Sequence, residues 1–144
     1  PIFLEYEPLG EESGGTPDGG NILENGTMNR IVEVKCPRSS IEHFRRLKWE
    51  NQWDIKEGYF SCYSQIQNLL MITGADAADF VSYDDRQIIK SKRIKIIEVL
   101  PDKKFHDNLD LRLRLAIKDK YKILSEHIGE TITCKADIMK FKNQ

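Results

Sequence analysis

Cysteine is scarce in this chain: Cys36, Cys62 and Cys134 are the three among 144 residues. An odd number at wide spacing supplies neither a disulfide framework nor a metal or iron–sulfur cluster, and it suits a reducing cytosol. No run approaches the roughly 18 consecutive apolar residues of a membrane span, and no basic-then-apolar leader opens the sequence. Histidine is sparse too. His43, His106 and His127 sit at no metal-ligand spacing and read as surface or packing residues. Lysine and arginine are missing from the first 29 residues, which instead carry Glu5, Glu7, Glu11, Glu12, Asp18 and Glu24. What remains is ordinary for a globular protein: 40% apolar, 31% charged, net charge −1. That balance excludes a disordered or fibrous chain, and the length suits one domain over residues 1–144.

The near-neutral total conceals an asymmetry, −6 over residues 1–29 against +5 over the remainder, and six of the nine glycines lie between Gly10 and Gly26. On composition this acidic, glycine-rich stretch reads as a flexible surface loop. Ile2–Tyr6 reads as a strand, and residues 10–20 as a turn-forming segment around Pro17-Asp18-Gly19. Asn25-Gly26 signals a hairpin turn between Ile22-Leu23 and Ile31–Val34, and Pro37 ends the second strand because it has no N–H to donate. Ser39 or Ser40 caps a helix reaching Trp49, and a polar link follows over Glu50–Lys56. A largely apolar helix over Gly58–Thr73 stops at Gly74. Two strands, Ala77–Tyr83 and Arg93–Val99, precede a last helix from Asp102 to His127. This order predicts a mixed sheet flanked by helices, in the α/β or α+β class.

The chemistry concentrates in Arg30–Pro37. Alternate side chains of a strand share a face, so Val32, Val34 and Cys36 form a set suited to meeting a helix layer, with Cys36 a small buried apolar residue. Ile31, Glu33 and Lys35 lie on the opposite face. A carboxylate and an ammonium side by side read either as a structural ion pair on a solvated face or as a metal-and-nucleophile pair. Asp18, one hairpin upstream, can return beside Glu33, and two converging carboxylates suit a hard divalent cation. Such a cation polarises a phosphoryl oxygen and acidifies a water, while a nearby lysine stabilises developing charge. The set is complete for phosphodiester hydrolysis. The Arg45, Arg46 and Lys48 group and the Lys90–Lys95 group are candidates for phosphate contact, although charged runs also serve as solvated faces. Trp49 and Trp53 read as packing residues.

Pro17-Asp18 followed by Glu33-x-Lys35 resembles the PD-(D/E)xK nuclease superfamily. The surrounding stretches narrow the likeness. GTPDG at 15–19, VEVKCP at 32–37 and YSQIQNLLMITGADAADFVSYDD at 63–85 are similar to the lambda-type phage exonucleases, the YqaJ-like viral recombinase family, over about residues 13–100. The resemblance implies a restriction-endonuclease-like core with a central mixed sheet. It implies Asp18 and Glu33 as ligands of one or two Mg²⁺ or Mn²⁺ ions, with the carbonyl of Val34 as a further ligand. Lys35 is the expected catalytic lysine, Gln65 its buttress, and Gln67 a structural residue. Tyr63 lies one residue from the family's commonest tyrosine position. Ser13 and Thr16 are set against phosphate through their hydroxyls, and Arg38, Arg45 and Arg46 against DNA.

The implied activity is 5′→3′ exonuclease action on ends of double-stranded DNA in phage-type recombination and repair, in a bacterial or phage-encoded cytoplasmic protein. The implied partners are duplex DNA, a single-strand annealing protein and further copies of the chain in a ring-shaped trimer, with no membrane. Two alternatives stand beside it: an endonuclease on the same fold, and a non-catalytic DNA-binding or assembly fragment. One departure is visible. The family places helices before the first strand that contribute an acidic residue and basic residues to the site. Here the sequence expects a nuclease core lacking those N-terminal helices.

Overall fold

The computed structural model describes residues 3–141 and divides into two compact units, Pro1–His106 and Asp107–Gln144. In the first, β1 (Leu4–Tyr6) and β2 (Gly10–Gly15) form an antiparallel ribbon. A four-stranded sheet follows in the order β3 (Gly19–Ile22), β4 (Met28–Lys35), β5 (Ala77–Tyr83), β6 (Ile94–Val99). The β4–β5 pair is parallel and both outer pairs are antiparallel. Between β4 and β5 run α1 (Ser40–Leu47), α2 (Gln52–Gly58) and α3 (Phe60–Thr73). The helix α4 (Lys103–Ile128) leads into the second unit, which also holds α5 (Lys135–Phe141). Within that unit Tyr121 and Ile132 are buried, and the Ser125 hydroxyl donates to the Tyr121 carbonyl while accepting from Ile132 N–H. The mixed α+β architecture expected from the sequence is the one observed.

Local signals explain most boundaries. Gly26 takes φ +82° in the β3–β4 turn, closed by Gly26 N–H to the Leu23 carbonyl. Ser39 accepts from Glu42 N–H to cap α1, and Gly74 takes φ +65° to stop α3. Two segments differ from expectation. The polar stretch after Trp49 is not a link but contains α2, begun by a capping box in which Asn51 and Asp54 satisfy each other's backbone donors. The turn-forming stretch before Pro17 contains β2. There Gly14 is required by close approach, since a Cβ would stand 2.6 Å from the Leu4 carbonyl oxygen. The Ile2 end of the first expected strand lies outside the described residues.

The facing of β4 also reverses the expectation. Ile31 and Glu33 are buried, joining Ala78, Phe80, Ile97 and Val99 under Ile66, Leu69 and Leu70 of α3. Val32 is half-buried, Val34 is 38% exposed, and Cys36 is exposed rather than buried. Both faces of the strand carry apolar residues, so alternation defined the two sets without saying which meets the helices. The outer face is tied by Arg30, which bridges Asp79 and Glu98 across three strands at 2.6 and 2.8 Å.

The turn from β5 to β6 is pinned by Asp84. Its carboxylate accepts from Arg86 Nε at 2.6 Å, Arg86 N–H at 3.1 Å and Gln87 Nε2 at 3.0 Å. Hydrogen bonding from Arg86, then from Gln87, holds the Asp84 carboxyl well below the usual carboxylate range despite its burial. A depressed carboxyl contributes stability that is full above the unfolded value of about 3.9 and is lost as pH falls through the lower folded value. Asp84→Asn is therefore expected to melt at lower temperature at pH 7, with a shallower acid loss below about pH 4 than wild type. Thermal melts across the acid range check this, and parallel acid limbs would contradict it.

Candidate active site

The β3–β4 hairpin and helix α3 converge on Glu33. Pro17 is buried where β2 turns into β3, which fixes the chain just before Asp18. Gly19 then pairs with Val32, and the Asp18 carboxylate accepts from Val34 N–H at 2.7 Å. One oxygen of the first expected ligand is thus anchored on the backbone that follows the second. From the other side α3 presents Gln65, whose amide nitrogen donates to Glu33 Oε1 at 2.7 Å. Lys35 Nζ donates to the same Oε1 and, at 3.1 Å, to Gln65 Oε1. Asp18, Glu33, Lys35 and Gln65 therefore form one contiguous cluster.

Its electrostatics are uneven. The Glu33 side chain is 2% exposed, and that of Lys35 is 23% exposed. Burial pushes the Glu33 carboxyl up; hydrogen bonding and charge from Lys35 oppose this, and the neighbouring Asp18 charge adds to the rise. Burial lowers the Lys35 value, but the Glu33 contact outweighs it and the ammonium is held protonated. Cys62, buried close by, has its thiol pushed up to about 12 by burial and is no nucleophile at neutral pH. Among the described residues, Glu33 Oε2 is a buried side-chain oxygen with no hydrogen-bond partner. Leaving a buried acceptor unsatisfied costs roughly 1–3 kcal/mol, more when it is charged.

That orphan oxygen tests the implied metal. Glu33 Oε2 and the Asp18 carboxylate are hard oxygen donors of net negative charge, the kind Mg²⁺ or Mn²⁺ selects. The residues present fit the group. No group of three or more His, Cys, Asp or Glu side chains at metal-binding distances occurs among the described residues. Asp18 and Glu33 are the acidic side chains that would hold the metal.

The other expected residues are spread around this cluster. Ser13 lies in β2, and Thr16 directly precedes Pro17-Asp18; both are half-buried. Arg38 and Arg45 are exposed, whereas Arg46 is 8% exposed with its guanidinium 5.0 Å above the Tyr59 ring. Together with Lys35 and Tyr59 these arginines line a cleft of about 540 Å³. Tyr63 is buried and its hydroxyl donates to Asp102 at 2.9 Å, in the group of side chains that starts α4. Gln67 bridges the Leu100 carbonyl and Asp102 N–H, the structural part read for it. His43 is a packing residue, held between Ser82 Oγ and the Lys92 carbonyl. Tyr59, which the sequence pattern puts on the apolar stripe of the Gly58–Thr73 helix, stands at the N-cap of α3 with the Arg46 guanidinium over its ring. An aromatic residue just before a buried helix is indistinguishable there from core.

No protein-family profile matches the sequence, and no curated protein matches it. Among solved structures, the fold matches an alkaline exonuclease, LHK-Exo, from Laribacter hongkongensis. A structure of LHK-Exo in complex with dAMP superposes with a TM-score of 0.60 at 20% identity, covering 88% of this chain and 60% of that one. A second LHK-Exo structure gives 0.50 at 21% identity, covering 86% of this chain and 60% of the other. The chain thus spans about three fifths of the exonuclease's length. The fold is that of a nuclease structure, in agreement with the resemblance read from the motifs.

Gln65 is the residue that joins α3 to the cluster. Gln65→Ala is expected to lower the unfolding free energy by about 1.5–3 kcal/mol, the range for hydrogen bonds to charged groups. Urea denaturation checks it; an unchanged midpoint would show that the amide carries no load.

Proposed function

We propose that the chain is the catalytic core of a metal-dependent DNA exonuclease that degrades double-stranded DNA from its ends in the 5′→3′ direction. The observation that carries this reading is the buried, unpartnered oxygen of Glu33, with Lys35 and Gln65 both held on the other oxygen and the Asp18 carboxylate on the N–H of the next residue, Val34. A structural ion pair has no use for the second oxygen. A cation site does. The nuclease fold of LHK-Exo supports the same assignment, and the dAMP in that protein's structure is a mononucleotide of the kind an exonuclease releases.

Asp18 and Glu33 would hold Mg²⁺ or Mn²⁺, with the Val34 carbonyl as a further oxygen donor. Bound there, the cation would supply charge for the phosphate and acidify a water. The protein's own residues divide the remaining work. Asp18 is held in place by Val34 N–H. Gln65 orients Glu33 by occupying Oε1, which leaves Oε2 for the cation. Lys35 stays protonated beside the carboxylates and stabilises negative charge on the phosphorane-like transition state or the water that attacks it. The basic side of the molecule, with Arg38, Arg45 and Arg46 around the adjoining cleft, suits the DNA backbone. The resemblance extends this reading to phage-type recombination, a ring-shaped trimer and a single-strand annealing partner. No helix among the described residues is long and apolar enough to cross a membrane.

The test is digestion of a linear duplex labelled at either 5′ or 3′ end, with Mg²⁺ and with EDTA. Wild type is expected to release mononucleotides from 5′ ends with Mg²⁺ only and to leave a covalently closed circle whole. Nicking of the circle would establish the endonuclease alternative instead. Lys35→Ala is expected to cost about 10²–10³-fold or more in rate, as losing a preorganised charge donor does. Asp18→Ala and Glu33→Ala should each abolish cleavage with the fold retained; near-wild-type activity of the Glu33 variant would sink the assignment.

A further inference from the structure

Apolar side chains stand in solvent where α1 meets the turn between β5 and β6, residues 84–93, and the hydrolytic cluster uses none of them. Ile88 of the turn is 95% exposed, and Ile89 is exposed beside it. On α1, Ile41 and Phe44 are exposed too, and three residues apart they share one side of the helix. Phe44, Ile88 and Ile89 together border a hollow of about 440 Å³. A single exposed isoleucine is ordinary on a protein surface, whereas a group of large apolar side chains around a hollow marks a place of contact.

Charge around the hollow is one-sided. Its lining holds Arg86 and Lys92 and, among the described residues, no acid. Lys90 precedes Lys92 in the same turn, and Lys48 follows Phe44 by four residues, on the same side of α1. Among the described residues Lys48, Lys90 and Lys92 enter no ion pair. The nearby acids are engaged elsewhere: Asp84 is buried and tied to Arg86 and Gln87, and Glu42 lines the neighbouring cleft. Asp85 is the exposed exception. The turn is held in place before any contact is made. Arg93 donates to the Gln87 carbonyl at 2.8 Å, His43 bonds the Lys92 carbonyl at 2.8 Å, and Arg86 donates to the Pro37 and Arg38 carbonyls, each at 2.9 Å. A surface set in advance loses little freedom on binding.

We propose that this surface docks an acidic peptide segment of a partner protein: its apolar side chains seat in the hollow against Phe44, Ile88 and Ile89, and its carboxylates face Lys48, Lys90 and Lys92. An apolar centre with a charged rim is how protein interfaces are built, and the lysines set the sign that the partner must carry. The hollow falls in the range of roughly 300–1,000 Å³ that holds a small ligand, so it takes a few side chains of one segment rather than a folded domain. Nucleic acid fits the surface less well. Its phosphates would satisfy the lysines but lay a charged, hydrated chain over the exposed apolar side chains, which a peptide of mixed acidic and apolar character covers. None of these residues belongs to the Asp18, Glu33 and Lys35 cluster, so docking here is independent of whether the chain hydrolyses DNA.

Random dodecapeptides displayed on phage are selected against the full chain, and an enriched peptide is synthesised with a fluorescent label for anisotropy. The expected consensus places Asp or Glu around a pair of large apolar residues. Ile88→Ser/Ile89→Ser and, separately, Lys90→Glu/Lys92→Glu are each expected to weaken binding of the labelled peptide at least about tenfold. Both variants are expected to keep the wild-type melting temperature, because all four side chains are exposed. A selection that enriches nothing, a consensus without acids, or wild-type affinity in either variant would overturn the proposal. So would a DNA result: if duplex DNA displaces the peptide and itself binds the isoleucine variant at least about tenfold more weakly, the surface belongs to nucleic acid. Sedimentation of the protein alone covers the remaining occupant, since self-association that the isoleucine variant loses would overturn the proposal and assign the surface to a second copy.

Discussion

A carboxylate buried with one of its two oxygens unsatisfied organises the part of the structure where the β3–β4 hairpin meets α3. Taking Glu33 out of water is costly, and burial pushes its carboxyl up. Lys35 and Gln65 offset part of that cost, both at Oε1, and neither reaches Oε2. A fold selected only for stability would place an apolar residue here, because ion pairs inside proteins rarely outperform good packing. Retaining a half-satisfied charge on the core face of a central strand points to chemistry. The surrounding elements are arranged around it: the β3–β4 hairpin brings Asp18, and α3 supplies the amide that fixes the carboxylate's orientation.

The acidic, glycine-rich start of the sequence takes on a definite shape in this light. It is not a loop throughout. Gly14 lets β1 and β2 lie closely together, and the strand ends at a buried proline that sets the register for Asp18. The first 29 residues carry six acids and no Lys or Arg, whereas Arg38, Arg45 and Arg46 line the cleft beside Lys35.

Much of this is legible in the sequence. Asn25-Gly26, Pro37, Ser39 and Gly74 each imposes a local conformation, and each marks the boundary expected of it. The hairpin that returns Asp18 towards Glu33 and Lys35 is legible in the strand pattern, Gln65 only in the resemblance; in the fold Gln65 bonds Glu33 and Lys35, and Asp18 bonds Val34 N–H. What stayed hidden depended on tertiary choice. Ile31 and Val34 are equally apolar, so the pattern of β4 could not say which face meets α3, and Cys36 was assigned to the wrong side. The stretch containing α2 looked like a link because its polar residues mask a capping box around one buried residue, Ile55. The exposure of Ile88 and Ile89 was equally unreadable, since adjacent isoleucines after a charged turn ordinarily begin a buried strand.

The central claim is that Asp18 and Glu33 together hold a divalent cation. Calorimetric titration of the metal-free protein with Mn²⁺, at a pH where both carboxylates are ionised, addresses it without any substrate. The account predicts saturable uptake by wild type and its loss in Asp18→Asn and Glu33→Gln, with Lys35→Ala still binding. Undiminished uptake by the Glu33→Gln variant, or none by the folded wild type, would contradict it.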